Sequence, residues 1–302
     1  MKSISELREI LSQIPFARID AHVHTHLCDG KPEMTVENVL RAAEERGLHA
    51  VIFTPHFHKR LVDDTMKLYD DTDESIFFRL REEIDAYRKA ARASLTVLLS
   101  VEADILDLDG NTSLTLSKAA KDALDLTTPT LNFHPLLPLK AVEVTMSRTI
   151  EEIHGSGLYR QYADAAGGVE KILETLYTAE ANAILKSKYP AILGHFFAAH
   201  SRAVGKYSWF GAEEAHLKLM KQGAERVLDA CEKAGAMVDV TGIHPKQMTN
   251  DEKREADGFF RGFQEWFLAE CHRRNIPAIP GSDAHGLKSV GNVRYYETFS
   301  EA

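Results

Sequence analysis

Seven short apolar runs alternate with segments of helical periodicity along the chain, and this alternation limits its fold more than any other feature. The runs are 17–23, 50–54, 95–101, 126–133, 190–193, 236–240 and 276–280. Between them, apolar residues recur at helical spacing over 35–48, 73–93, 117–124, 169–186, 212–235 and 254–275. Crossover helices of this kind bring successive strands parallel and cover their faces, so the class is α/β, with a parallel sheet or barrel. Thr35 reads as an N-cap, and stripes such as Val39/Ala43 and Phe77/Leu80/Ile84/Tyr87 read as core. The opening MKSISELREILSQI predicts a helix at 3–14, and 135–168, with GSG and GG turns, reads as an irregular insert. Without a repeat or a Pro/Ser-rich linker, 1–302 reads as a single domain.

Composition narrows the function classes. Hydrophobic residues make up 44% and charged residues 27%, ordinary for a folded globular chain and wrong for a disordered one. No apolar run approaches the roughly 18 residues of a membrane helix, so no membrane partner is expected. Cys28, Cys231 and Cys271 are odd in number and lack paired spacing, which implies a reducing compartment and a cytoplasmic location. A net charge of −9 disfavours long nucleic acid as a partner. It does not exclude an anionic substrate, because bound cations reverse charge locally.

Histidine placement carries the chemistry. The chain has 14 histidines, so a His-x-His spacing alone is weak evidence. Position is stronger. His22 and His24 close the first run, with Asp29 in the loop after them. His56 follows the second run, Glu102 ends the third, His134 the fourth and His195 the fifth. Asp283 and His285 follow the seventh. In a parallel barrel all strand C-termini lie on one face, so six of the seven runs deliver a ligand-type residue to the same rim. Any one of these, such as His134 or Glu102 alone, reads equally well as a hydrogen-bonded structural residue; the set does not.

Mixed imidazoles and carboxylates suit zinc, manganese or iron rather than calcium. Nine donors exceed what one ion needs, so two or three divalent ions are expected, with Glu102 a candidate to bridge them. Three such ions over three carboxylates leave a surplus of about three positive charges, a pocket for phosphate. Clustered ions also acidify a shared water to a nucleophilic hydroxide and clamp the attacking and leaving oxygens.

The ordered motifs Asp20-Ala-His22-Val-His24-Thr…Asp29-Gly30, Thr54-Pro-His56, Val101-Glu102, His134, Leu193-Gly-His195 and Gly281-Ser-Asp283-Ala-His285 resemble those of the PHP (polymerase and histidinol phosphatase) superfamily. The resemblance covers about residues 17–290. It implies a distorted (β/α)7 barrel and a trinuclear centre that hydrolyses phosphate esters. It also implies a nine-ligand set falling on His22, His24, Asp29, His56, Glu102, His134, His195, Asp283 and His285. The stretch 125–134 and the LGH and GSDAH motifs are most similar to histidinol-phosphate phosphatases. Pro55 is closer to the capsule-type tyrosine phosphatases of the superfamily, and Cys28 stands where a serine is common.

The resulting expectation is a small phosphate monoester substrate, with histidinol phosphate first, attacked in line by a metal-bridging hydroxide. Asp283 or His285 would manage protons. Arg202, Lys206, Arg160 and His244 are candidate substrate contacts, the arginines because their fork matches phosphate; each also reads as a surface or turn residue. His26 and His58 read equally as donors behind the ligands or as rim residues. Asp20 is expected to orient a histidine. His49, His154, His216 and His272 read as solvated. Phosphotyrosine protein, nucleotide or short oligonucleotide remain alternative substrates. An amidohydrolase would leave Asp29, His56, Glu102 and His285 unexplained, and a non-catalytic metal-stabilised module would not need the complete donor set.

Overall fold

The computed structural model describes residues 1–28, 30–61, 68–71, 73–90, 95–131, 164, 167–197, 214–241 and 250–293. The first helix, α1 (Ile4–Ser12), starts at a capping box: Ser3 accepts from the Glu6 amide while the Glu6 carboxylate accepts from the Ser3 amide. β1 (Ile19–Val23), α2 (Val36–Glu45), β2 (Ala50–Phe53), β3 (His56–Leu61), β4 (Leu68–Asp71), α3 (Ser75–Ala90), β5 (Thr96–Leu99), β6 (Glu102–Asp104), α4 (Lys118–Ala123) and β7 (Thr128–Thr130) follow in order. The second half holds α5 (Val169–Lys186), β8 (Ile192–Leu193), α6 (Glu214–Ala234), β9 (Met237–Asp239), α7 (Asn250–Arg273) and β10 (Ala278–Ile279). Thr35 and Ser117 cap α2 and α4 through their hydroxyls, as their residue types favour.

The class is α/β, as the alternation predicted. Strands pair in three sheets, β1-β2-β5, β4-β3-β6-β7 and β10-β9-β8, rather than in one continuous ladder. Every pair is parallel except the β3–β4 hairpin, which pairs His58 with Asp71 through Leu61 with Leu68. That hairpin was not expected. Isolated parallel bridges link the sheets: Val23 with Ala284, Thr127 with Ala191, and Thr130 with Gly194.

Past the second and third predicted strands the chain breaks and starts a new short strand, β3 after β2 and β6 after β5, neither of them predicted. Between β2 and β3 lies Thr54-Pro55, where proline has no N–H to offer the ladder. Hydrogen bonding nevertheless passes through the kinks, with Ser100 donating to the Phe53 carbonyl (2.8 Å) and Glu102 to the Pro55 carbonyl (2.9 Å). The kinks place His56 and Glu102 at the starts of new short strands, paired with each other in register.

The core has three parts. A central cluster takes Ile19, Ala21, Ala50, Ile52, Leu98, Leu126, Ile192, Met237 and Ile279, residues from all seven predicted strand runs, together with Leu7 and Leu11 of α1. One outer cluster packs α2, α3 and α4 on Val51, Phe53, Val97 and Leu99; the other packs α5, α6 and α7 around Leu193 and Val238. Neighbouring residues of β2 thus face opposite clusters, as the two-residue period of a strand requires. α1 lies at the N-terminal strand ends, where Lys2 donates to the Asp125 carbonyl and the Arg8 side chain reaches the carbonyl of Asn275. Among the described residues no helix is long and apolar enough to cross a membrane.

Candidate metal centre

At the C-terminal strand ends, seven of the nine predicted donors meet. β1 supplies His22 and the residue just past its end is His24, both fully buried, and the break after β2 brings in His56. The break after β5 brings in Glu102. His195 follows β8 across Gly194, and Asp283 and His285 lie on the turn after β10. Glu102 is the hub. Its Oε2 lies 3.1 Å from His22 Nε2, 3.2 Å from His56 Nε2 and 3.4 Å from His24 Nε2, and its Oε1 lies 3.1 Å from His195 Nε2. Asp283 Oδ1 lies 3.0 Å from His24 Nε2.

Three of the outer nitrogens are held by the protein. His22 Nδ1 lies 3.0 Å from Asp239 Oδ2, and His285 Nδ1 lies 2.9 Å from the Asp283 carbonyl. His24 Nδ1 lies 3.8 Å from the Cys28 sulfur. Anchoring one imidazole nitrogen on protein while the other faces a shared centre is how proteins prepare histidine as a metal donor.

Charge is concentrated here. Burial raises the cost of ionising Glu102, but the charges of His56 and His22 and the hydrogen bonds from His195 and His22 hold it well below the usual carboxylate range. Burial also opposes charge on His22, yet Glu102 and Asp239 on its two sides hold its imidazole well above the ordinary value. For His24 burial wins and the imidazole is pushed down to about 4.

The donor set fits a metal on the structure's own terms. Three triads, His24/His56/His285, His22/His24/Asp283 and His22/Glu102/His195, each have donor atoms within 4.8 Å of one another. His195 Nδ1 is buried and has no hydrogen-bond partner among the described residues. Imidazoles packed this densely around carboxylates are a donor set for a divalent metal.

The backbone is strained where the donors turn inward. Among the described residues only His195 (φ 27°), Asn275 (φ 55°) and Asp283 (φ 51°) are non-glycine residues with positive φ, and two of these three are in the site.

The remaining sequence candidates fare differently. Asp29, His134, Arg160, Arg202, Lys206 and His244 lie outside the described residues. His26 contacts the Met34 carbonyl and Glu83, at the edge of the site. Among the described residues Asp20 bonds no imidazole, contrary to expectation. It accepts from the Ser282 amide and hydroxyl and from the amides of Gly291 and His22, bracing the turn that presents Asp283. Burial raises its carboxyl to about 6. His216, read from sequence as solvated, is buried. Asp239 was missed altogether; its only sequence signal is a lone carboxylate inside the apolar stretch Ala236–Val240.

The PHP domain family model matches residues 20–241, most of the chain. This chain belongs to the PHP domain family. A histidinol-phosphatase of Bacillus subtilis (strain 168) is 22% identical over 294 residues, covering 93% of this chain and 98% of that one. Among solved structures, the HisK protein of Listeria monocytogenes aligns with TM-score 0.59 at 14% identity, over 93% of this chain and 99% of its own. The histidinol phosphate phosphatase HisK of Lactococcus lactis, complexed with zinc, L-histidinol and phosphate, aligns with TM-score 0.55 at 11% identity, over 94% of each chain. These likenesses support the α/β fold of this PHP chain across nearly its whole length.

Proposed function

We propose that this chain is a metal-dependent phosphatase that hydrolyses a small phosphate monoester, histidinol phosphate being the leading substrate. One observation carries the reading: four imidazole Nε2 atoms converge on the two oxygens of buried Glu102. Neither a solvated surface nor an apolar core has use for such an arrangement. Family membership and the histidinol-phosphatase relatives give the same direction.

His22, His24, His56, Glu102, His195, Asp283 and His285 would hold two or three ions, of zinc, manganese or iron, with Asp29 and His134 completing the set. Ions bound there supply Lewis acidity toward water and toward the phosphoryl oxygens. Glu102 fixes the negative charge around which the imidazoles are arranged. Asp283 and His285 have side chains 26% and 32% exposed, so they stand at the mouth, where a substrate's leaving oxygen and bulk water are both in reach. They are the proposed proton carriers, with His285 oriented by its Nδ1 contact to the Asp283 carbonyl. Arg202, Lys206, Arg160 and His244 are the proposed contacts to substrate oxygens.

The same reading takes the three sheets as segments of a distorted (β/α)7 barrel. Supporting it are the central cluster drawn from all seven strand runs and the bond from the Ala21 amide to the Pro280 carbonyl, which ties the first strand to the last.

Replacing Asp283 with Ala tests the catalytic reading. Phosphatase activity is expected to fall by more than about 100-fold with the fold intact, because a donor and proton carrier is lost. Unchanged activity in the folded variant overturns it.

A further inference from the structure

β9 contributes no residue to the predicted donor set, yet its last residue links two elements that do. Asp239 is fully buried. Its Oδ2 accepts from the His195 backbone amide at 3.0 Å and lies 3.0 Å from His22 Nδ1. Its Oδ1 accepts from the Thr241 amide at 2.9 Å and from the Thr241 hydroxyl. With these partners both oxygens are satisfied and the carboxylate has little freedom to turn.

Both Asp239 oxygens already accept from backbone amides, so the 3.0 Å contact to His22 is made with Nδ1 as the donor.

We propose that Asp239 is a positioning residue of the metal centre: it holds His22 through Nδ1 so that Nε2 is the nitrogen turned to the pocket, and it pins the left-handed turn that aims His195. The inference rests on the metal reading of this site. It gives the ligand-free strand a task, because one carboxylate sets the orientation of two donors that approach Glu102 through different oxygens.

Gly281 shows how tightly this junction is built. A Cβ there would fall 2.5 Å from Thr241 Oγ1, 2.8 Å from Asp239 Oδ1 and 2.8 Å from His22 Cβ. The glycine of the Gly281-Ser-Asp283-Ala-His285 motif is thus the space in which Asp239, Thr241 and His22 meet.

Asp239→Asn tests the role at nearly constant volume. Its amide oxygen still takes one set of donors, but its NH2 then faces the Thr241 amide, and the full negative charge behind His22 is gone. Three readouts are needed: melting temperature of the metal-free protein, zinc affinity by chelator competition, and the His22 Nδ1–H resonance in 15N-histidine-labelled protein. The expected result is a folded variant with zinc affinity reduced about 10- to 100-fold, the loss typical when a ligand's outer partner is removed, and a shifted Nδ1–H resonance.

A folded variant with zinc affinity within twofold of the parent and an unmoved resonance overturns the proposal. If Asp239→Asn does not fold, Thr241→Val removes a single bond to Oδ1 and is expected to weaken zinc binding about threefold; unchanged affinity there overturns it equally. If the parent protein binds neither zinc nor manganese, the metal reading falls. The Nδ1–H resonance, read without metal in the parent and in Asp239→Asn, then decides the positioning role by itself.

Discussion

Oε1 of Glu102 lies 3.1 Å from Nε2 of His195, and this oxygen is apart from Oε2, which faces His22, His56 and His24. A single carboxylate therefore divides four histidines into two groups, the arrangement expected of a ligand shared between neighbouring ions. Glu102→Gln keeps the shape and removes the charge. It is expected to reduce kcat/KM by more than the roughly 100-fold that outer partners cost, and to lower the metal content after dialysis. Steady-state kinetics with elemental analysis check this; full metal content and activity would contradict it.

Gly281→Ala places a methyl group against Thr241, Asp239 and His22, all of them buried. Overpacking at such a point costs about 1–3 kcal/mol. The loss of activity should exceed the loss of stability, because His22 is displaced along with its support. Chemical denaturation and activity on the same preparation measure both.

Metal removal should destabilise the fold, since the donors come from β1, the β2–β3 break, β6 and the turns after β8 and β10. Free metal at 100 times its dissociation constant adds about 2.7 kcal/mol. That corresponds to a melting temperature about 5 °C or more above the chelated protein's. Calorimetry with chelator and then with added zinc or manganese reads the shift, and no shift with either metal would contradict the account.

The far end of the strands should be separable from the chemistry. Leu7 of α1 is fully buried in the central cluster, beside residues at the N-terminal strand ends. Leu7→Ala is expected to cost about 2–5 kcal/mol while leaving kcat/KM of the folded protein within about twofold. A specific loss of activity in the folded fraction would show that α1 reaches the site.

What the sequence made readable was what local pattern dictates. α5 matches its predicted bounds because helical periodicity and the preceding Gly167-Gly168 turn agree there, and the donors of the site stood out because polar residues ended apolar strands. The β3–β4 hairpin was missed because its residues, His56–Leu61 and Leu68–Asp71, are mostly polar and carry no apolar alternation. Asp239 was missed because its role lies in contacts to residues 217 and 44 positions away in the chain, which no local pattern encodes. The positive φ of His195 and Asp283 is likewise imposed by tertiary contacts, against the preference of the residues themselves.

The central claim is that the histidines around Glu102 form a metal centre for phosphate ester hydrolysis. Phosphate release from L-histidinol phosphate, by chelated protein and by protein reconstituted with manganese or zinc, tests it most directly, with para-nitrophenyl phosphate alongside. The account predicts negligible turnover without metal and, on reconstitution, kcat/KM for histidinol phosphate within the roughly 10⁴–10⁸ M⁻¹s⁻¹ of committed enzymes. Slow turnover of the generic ester alone would keep the metal chemistry and remove histidinol phosphate as substrate. No metal-dependent release from either ester would contradict the account.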